Sequence, residues 1–324
     1  MTTPRPLPIS PCPGIDIVII NWNSGDQLRA CIDSLYSIDF QNTPIHKVII
    51  VDNGSTDGST QGLECFRSNL VVVPNKENTG FAAACNQGAR LCSCPYILFL
   101  NPDTLVQGNA LHSPLNFMES SEGKGYGICS VQTVDEFGHV TRTSARFPKW
   151  RHFVSYGLGV DRLFPQIFPS HFMHDWDHLE SQAVDHVIGA FFLVRKSVFE
   201  QLGGFDERFF VYLEDLDFSY RAAKAGWRSY FLASACIFHH GGGTSHQIKA
   251  RRLFFSLRSR LLYGFKHFSL PGGAGSAVVC LLIEPFVRSF HALLRGSAST
   301  IIETLQAYGM LYRSLPDTLR QAFR

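Results

Sequence analysis

The sequence predicts an α/β fold: an open, mostly parallel sheet with flanking helices, followed by a C-terminal helical extension. Three observations carry that expectation. Short, nearly uninterrupted β-branched runs recur between Ile15 and Leu100 and alternate with segments of helical period, the order of βαβ units. Small polar residues directly follow three of those runs, as Asn21-Trp22-Asn23, Asp52-Asn53-Gly54-Ser55 and Asn101-Pro102-Asp103; open parallel sheets bind ligands beyond the carboxyl ends of their strands. Past Lys249 the pattern turns helical and the charge changes sign: residues 1–248 hold 18 Lys/Arg against 24 Asp/Glu, and residues 249–324 hold 11 against 3, a net of +8.

Residues 1–13 are a proline-rich tail without the basic segment and apolar run of a secretory signal, so a cytoplasmic chain is expected. The predicted strands are Ile15–Asn21, Lys47–Asp52, Leu70–Pro74 and Tyr96–Leu100, all read as buried on both faces. Gly25–Ser37 places Leu28, Cys31, Ile32 and Leu35 on one helical face, and Gly80–Leu91 is a second, Ala-rich helix. The expected order is β-α-β-α-β-α-β. From Val140 to Ala183 no period is visible, and the stretch reads as an insertion or flap. Order returns over Val184–Arg195, with a short helix to Leu202, a turn at Gly203-Gly204, a helix from about Asp215 to Ala225 and a strand near Ser229–Leu232. Residues 14–248 are thus one domain and 249–324 a basic amphipathic helical extension. Within the extension, Ala274–Ile283 is apolar but stops at Glu284-Pro285, short of the about 20 residues a bilayer span needs. A segment lying on an anionic membrane surface is expected, with a helical appendage packed on the domain as the other reading.

Composition narrows the function classes. Hydrophobic residues make up 45% and charged residues 17% of 324, which excludes a largely disordered, collagen-like or coiled-coil chain. No G-x-G-x-x-G or G-x-x-x-x-G-K-[ST] occurs, which disfavours dinucleotide oxidoreductases and P-loop enzymes. The basic end is interleaved with aromatics and leucines that suit lipid, so nucleic acid is not an expected partner. Nine cysteines form an odd set with no zinc-knuckle spacing and read as reduced structural thiols.

Four groups of residues could carry chemistry. Asp52, ending the second strand, can accept a hydrogen bond from a ligand or close an Asx-turn. Asn78-Thr79-Gly80-Phe81, with Asn86, opens a helix whose N–H groups can approach an anion or be capped. Asp103 in Leu100–Thr104 (LNPDT) offers a hard oxygen to a divalent cation. A second ligand would come best from His239-His240; adjacent side chains on an extended chain point apart, so one of the two at most would serve. Last, Asp206, Glu214, Asp215 and Asp217 surround an aromatic stretch. Glu214 and Asp215 adjoin beside Phe210 and Tyr212, an arrangement suited to general-base work or to helix capping.

The ordered set IVIINWN, VDNGSTDGS, NTGFAAACNQG, LNPDT, GAFFLVRKSVFEQLGGFDERFFVYLEDLDFSYRAAKAGW and FHHGGGTS resembles the family 2 glycosyltransferases, and within them the rhamnosyltransferase-like group, over about residues 14–268. The resemblance implies a GT-A fold, a nucleotide-sugar donor, Mg²⁺ or Mn²⁺, and inversion at the anomeric carbon. It implies that Asp52 binds the pyrimidine base, that Trp22 and Asn23 line the nucleotide, and that Asn78, Gly80 and Asn86 shape the base and ribose side. Asp103 stands where the family's DxD ends, with Asn101 in place of its first acid, and His239 matches the late metal or diphosphate ligand. Asp215 matches the catalytic base and Glu214 its acidic neighbour, while Gly189-Ala190 sits under the acceptor.

The function so implied is transfer from dTDP-L-rhamnose or a UDP-sugar to a glycan or polyprenyl-linked acceptor in cell-surface polysaccharide synthesis, at the inner face of the membrane. The oligomeric state is left open. A glycoside hydrolase would hold its two carboxylates about 5–9.5 Å apart across the bond, unlike adjacent acids. A nucleotidyltransferase would want a Gly-rich basic loop where Asn21-Trp22-Asn23-Ser24 stands. An inactive carbohydrate-binding or scaffold protein is the alternative from another class.

Overall fold

In the computed structural model, which describes residues 14–37, 44–63, 68–241 and 248–323, the chain begins with β1 (Ile15–Asn21), α1 (Asp26–Ser37), β2 (Ile45–Asp52), β3 (Leu70–Pro74), α2 (Phe81–Ala89) and β4 (Tyr96–Leu100). Next come β5 (Thr104–Val106), α3 (His112–Glu119), β6 (Tyr126–Val134), β7 (Val140–Thr141), β8 (Ser144–Ala145), α4 (Trp150–Leu158) and α5 (Val160–Leu163). Then follow β9 (Gln182–Val184), β10 (His186–Val187), β11 (Phe191–Arg195), α6 (Lys196–Gln201), α7 (Glu214–Lys224) and β12 (Arg228–His239). The chain ends in α8 (Lys249–His267), α9 (Leu270–Val278), α10 (Glu284–Leu294) and α11 (Ala298–Ala322). The proline-rich tail and Gly242-Gly243 of the glycine run lie outside the described residues.

Alternation along β1 sets the layers. Ile15, Ile17 and Ile19 face an apolar cluster shared with α1 and α3, while Val18 and Ile20 face another shared with α2, α6 and α7, as a period of two requires. The sheet runs β3-β2-β1-β4-β11-β6-β12-β5. Strands β3, β2, β1 and β4 are mutually parallel. β11 enters antiparallel between β4 and β6, and β5 lies antiparallel to the end of β12. The carboxyl ends of β1, β2 and β4 therefore share one edge, and β12 brings His239 into register with Thr104.

Three expectations are corrected. β3 is an edge strand with Val71 38% exposed, so its apolar run reflects β propensity and not two-sided burial. No helix occurs among the described residues between β2 and β3; residues 53–63 form turns held by polar side chains. The apolar segment near Ala274 does not stop at Glu284-Pro285. One helix runs from Leu270 to Leu294 through a π-helical turn at Val279–Ile283. Proline is tolerated there because it stands just after the π-helical turn, and the carbonyl of Leu281, four residues before it, accepts from Tyr312 OH at 2.6 Å. The stretch read as a flap contributes α4, which packs along α9 and α10, and the seven described cysteines are free thiols.

Candidate active site

The polar groups at the sheet edge first hold one another. Asn21 Nδ2 donates to Asp52 Oδ1 at 3.0 Å and reaches Ser55 Oγ at 3.0 Å and Ser59 Oγ at 2.8 Å. Ser55 Oγ donates to the same Asp52 oxygen at 2.5 Å. The Asn21 and Ser55 bonds to Asp52 both end on Oδ1 and so orient the buried carboxylate. Asn23 is a staple: its N–H donates to Ser55 Oγ, and its Oδ1 accepts from Thr56 N at 2.8 Å. Trp22 between them is half-buried.

Asn53 ties this turn to the next. Its amide donates to Asn78 Oδ1 at 3.0 Å and Gly80 O at 3.2 Å and accepts from Thr79 N at 3.0 Å. Gly80, at φ 93°, presses on the loop before α7, where an added Cβ would lie 2.7 Å from Phe210 O. Phe81 N donates to that carbonyl at 2.6 Å. Asn86 takes a different place from the one expected. Its amide donates to Phe205 O at 2.8 Å and Glu207 Oε1 at 2.9 Å and accepts from Phe205 N, so it fastens α2 to the approach to the acidic motif.

Asp103 and His239 meet across the β5–β12 pairing, with Oδ1 and Nε2 3.3 Å apart. His240 N donates to Asp103 O, which fixes the turn between them and leaves His239, the first of the two histidines, beside the carboxylate. The backbone continues this chain of contacts. Asn101 N donates to Ala190 O at 3.0 Å, and Gly189 N donates to Asp215 Oδ2 at 2.9 Å.

Asp215 stands in the first turn of α7. Oδ1 accepts from Leu216 N at 2.8 Å and Oδ2 from Gly189 N; a Cβ on Gly189 would sit 3.3 Å from Oδ2. Glycine there lets the backbone approach the carboxylate. Beneath it, buried His186 places Nε2 3.9 Å from Oδ2 and Nδ1 3.3 Å from Ser219 Oγ. Burial lowers the imidazole's pKa, with Asp215 and Asp185 acting the other way, so the ring is neutral at pH 7. Glu214 is buried with Oε2 unpaired. Burial first, then the charge of Asp215, raises its pKa well above the usual carboxyl value. The adjacent acids thus differ in environment: burial favours the proton on Glu214, while Asp215 is partly exposed. Tyr212 and Leu213, just before them, adopt φ of 68° and 65°, a conformation costing about 1–3 kcal/mol per non-glycine residue and typical of functional sites.

The other two acids are structural. Asp217 is fully buried and meets Arg221 at 2.8 Å, Lys266 at 2.5 Å and His267 at 2.6 Å. Burial pushes its pKa up, but His267's hydrogen bond and the charges of Arg221 and Lys266 outweigh that and hold it low. Lys266 also meets Asp206 at 2.6 Å. These contacts dock α8 on the acidic motif, reinforced by Arg258 Nη1 donating to Arg208 O and Ser259 Oγ donating to Val211 O, each at 2.9 Å. Sequence reasoning missed His186 and the α8 braces, which sit in apolar or basic periodic stretches with no motif to mark them. Among the described residues, Asp16, His46 and Cys94 also cluster tightly enough for a metal. They lie at the opposite end of β1, and the Asp16 carboxylate is already taken by Ser93 N, Cys94 N and His46 Nδ1.

The family model for glycosyl transferase family 2 matches residues 16–203. The chain is 27% identical over 268 residues to the N-acetylglucosaminyl-diphospho-decaprenol L-rhamnosyltransferase of Mycobacterium tuberculosis, covering 77% of this chain and 83% of that one. It is 25% identical over 255 residues to the rhamnosyltransferase WbbL of Escherichia coli, covering 76% and 91%. Among solved structures, the mannosyltransferase PcManGT of Pyrobaculum calidifontis, in complex with GDP-Man and Mn²⁺, superposes with a TM-score of 0.54 at 15% identity, covering 97% of this chain and 86% of that one. That likeness shows the fold. With the acids, the strand-end aspartate and the sheet edge assembled as described, the chain belongs to glycosyl transferase family 2 and is a glycosyltransferase of the rhamnosyltransferase-like group.

Proposed function

We propose that the enzyme transfers L-rhamnose from dTDP-L-rhamnose to a hydroxyl of a polyprenyl diphosphate-linked glycan, in the cytoplasm, as a step of cell-surface polysaccharide synthesis. The sugar and the lipid-linked acceptor are supported by the names of the two rhamnosyltransferases, one of which acts on a diphospho-decaprenol substrate. A UDP-sugar is the competing donor class: the two bases differ by one methyl, worth only about 1–3 kcal/mol of discrimination, and the two pentoses by a 2′-hydroxyl.

The observation that carries the mechanism is the division of labour between Asp215 and Glu214. Asp215, oriented by Gly189 N and Leu216 N, takes the proton of the acceptor hydroxyl as its oxygen attacks the anomeric carbon and the bond to the diphosphate breaks. One displacement inverts configuration, so a β-linked rhamnosyl donor gives an α-linked product. Protonated Glu214 adds no second negative charge against the nucleophile. Asp52 accepts from the base, with the Trp22-Asn23 and Asn78–Gly80 turns shaping the nucleotide side. Asp103 and His239 fit a divalent cation: a carboxylate oxygen and an imidazole nitrogen converge at the sheet edge, a mixed pair that favours Mn²⁺ over all-oxygen-preferring Mg²⁺. When bound, the cation offsets charge on the departing diphosphate.

The test offers dTDP-β-L-rhamnose and a panel of UDP-sugars with a short-chain N-acetylglucosaminyl-diphospho-prenol, in Mn²⁺, Mg²⁺ or EDTA. Rhamnosyl transfer giving an α linkage by NMR, abolished by EDTA, is expected. Turnover confined to a UDP-sugar, or a product that retains configuration, would overturn the donor or the mechanism respectively.

A further inference from the structure

The helix from Leu270 to Leu294 is inside-out. A surface helix of a globular domain turns its apolar stripe inward and its charges outward. Here Leu270, Ala274, Val278, Leu282, Phe286, Phe290 and Leu294 recur every fourth residue on the exposed side, with Phe286 74% and Phe290 62% exposed. Its charges point the other way. Glu284 is buried against Arg260 of α8 at 2.5 Å and Arg288 at 2.7 Å, and the inner face otherwise consists of Gly272, Gly273, Ser276, Ala277, Cys280 and Ala292. The helix spans 25 residues, and an 18-residue window within it reaches a mean hydropathy of 1.7.

A second segment adjoins it. A Cβ on Gly159 would lie 3.2 Å from Val287 Cγ1, and Arg288 Nη2 donates to Tyr156 OH at 3.3 Å. From that junction α5 and the turn after it present Leu163 at 66% and Ile167 at 70% exposure, with Phe164 and Phe168 beside them. Large aliphatic and aromatic side chains so grouped exceed the scattered apolar exposure of an ordinary soluble surface.

We propose that this two-segment face docks on an anionic lipid bilayer, with the helix lying in the plane of the interface. The charge of the region selects the occupant. Residues 249–324 carry a net of +8 while the remainder carries a net of −6; Arg162 on the second segment and Arg295 just past the end of the helix are exposed, as is Arg313 midway along α11. Anionic headgroups complement that excess, whereas a second copy of the same basic face would repel it. The buried ion triad decides between lying on and spanning. Inserting the helix across a bilayer would strip Glu284 from Arg260 and Tyr312 OH from Leu281 O, now at 2.6 Å, leaving a carboxylate in hydrocarbon. Lying flat keeps every one of those bonds. The inference stands apart from the identity of donor and acceptor.

The experiment is flotation of the full chain with vesicles of phosphatidylcholine alone or with about one-third phosphatidylglycerol, a composition giving the negative surface potential the basic residues need. The wild type should float with the anionic vesicles and lose binding as salt rises, and an alkaline carbonate wash should release it. Phe286→Asp/Phe290→Asp should lower the partition coefficient at least about 100-fold, the loss expected for two phenylalanines leaving hydrocarbon. Ile167→Glu, on the other segment, should lower it about tenfold or more. Unchanged nucleoside diphosphate binding by both variants would show that the site is intact. Failure of the wild type to float, variants that float as well as wild type, or retention after the carbonate wash would each overturn the proposal. So would a solution dimer that the double variant splits while flotation is unaffected.

Discussion

Replacing Glu214 by glutamine isolates the electrostatics of the acid pair. The residue is buried in the first turn of α7 with one carboxyl oxygen unpaired, and burial, then Asp215, raises its pKa well above the ordinary value. Between the unfolded pKa, about 4.3 for glutamate, and the raised folded one, the native chain keeps a proton that the unfolded chain has lost. Stability therefore falls with rising pH across that window: Glu214's contribution is complete below the unfolded pKa and gone once pH passes the folded pKa. Glutamine has no proton to lose. The stability gap between Glu214→Gln and wild type should move in the variant's favour by up to about 1.4 kcal/mol per pH unit within the window. Asp217, held low, and the nearby Cys85 thiol, pushed up by burial, keep their charge states across this window in both proteins. Paired urea unfolding curves at about pH 5, 6 and 7 would read the slope. Turnover should stay within about tenfold, because a primary amide preserves a neutral hydrogen-bond donor in the same volume. A gap that does not change with pH would mean that Glu214 is ionised in the folded enzyme. The physical reason for assigning the base to Asp215 and not to its neighbour would then fail.

Asp215→Asn should lower turnover by about 10²–10⁴-fold, the range for losing a general base, with donor affinity by calorimetry little changed; near-normal turnover would reassign the base. Gly189→Ala introduces a Cβ 3.3 Å from Asp215 Oδ2 and should cost about tenfold or more in kcat with a small change in KM, since a displaced reacting group loses rate steeply. Lys266→Met removes the cation shared by Asp206 and Asp217. It should destabilise the fold by about 2–3 kcal/mol, below the roughly 3–5 for a buried ion left alone, because Arg221 and His267 remain on Asp217.

The parallel half of the sheet was legible because its strands are continuous apolar runs cut off by polar turns. The bounds of β1, β3 and β4 coincide with the predicted ones. What was hidden is what distant residues decide. Glu284 reads as the end of an apolar segment in one dimension, yet Arg260, 24 positions earlier, neutralises it within a continuous helix. Asp215 and Asp217 look equivalent in the sequence. Two residues apart on a helix they point to different sides, one toward Gly189 and the other into the cationic cluster of α8. Asn86 belongs to a motif that suggests a ligand, and only the fold shows its amide spent on Phe205 and Glu207. For Asp103 the residues themselves pointed to His239-His240 as the source of a second ligand, and family resemblance chose His239; the contact itself depends on the pairing of β5 with β12.

The extension also bears on what holds the catalytic loop in its strained form. Phe255 of α8 stacks on Phe210 at 4.6 Å between ring centres, Ser259 holds Val211 O and Arg258 holds Arg208 O. Phe210 O in turn receives Phe81 N beside Gly80, so one run of contacts leads from α8 through Phe210, just before the positive-φ pair Tyr212-Leu213, to the turn at Gly80. α11 completes the brace: Gln321 accepts from Arg208 at 3.0 Å through its carbonyl and from Arg258 at 2.6 Å through Oε1. A left-handed conformation at two adjacent non-glycine residues persists only when surrounding structure over-determines it, and here that structure comes from residues 249–323. Truncation after α8 would remove the apolar outer face and the Gln321 brace in one cut. Loss of activity or of lipid binding in such a fragment would then have two causes. Substitutions confined to the exposed stripe leave Arg208, Arg258 and Gln321 untouched, and for that reason they separate docking from catalysis where a deletion cannot.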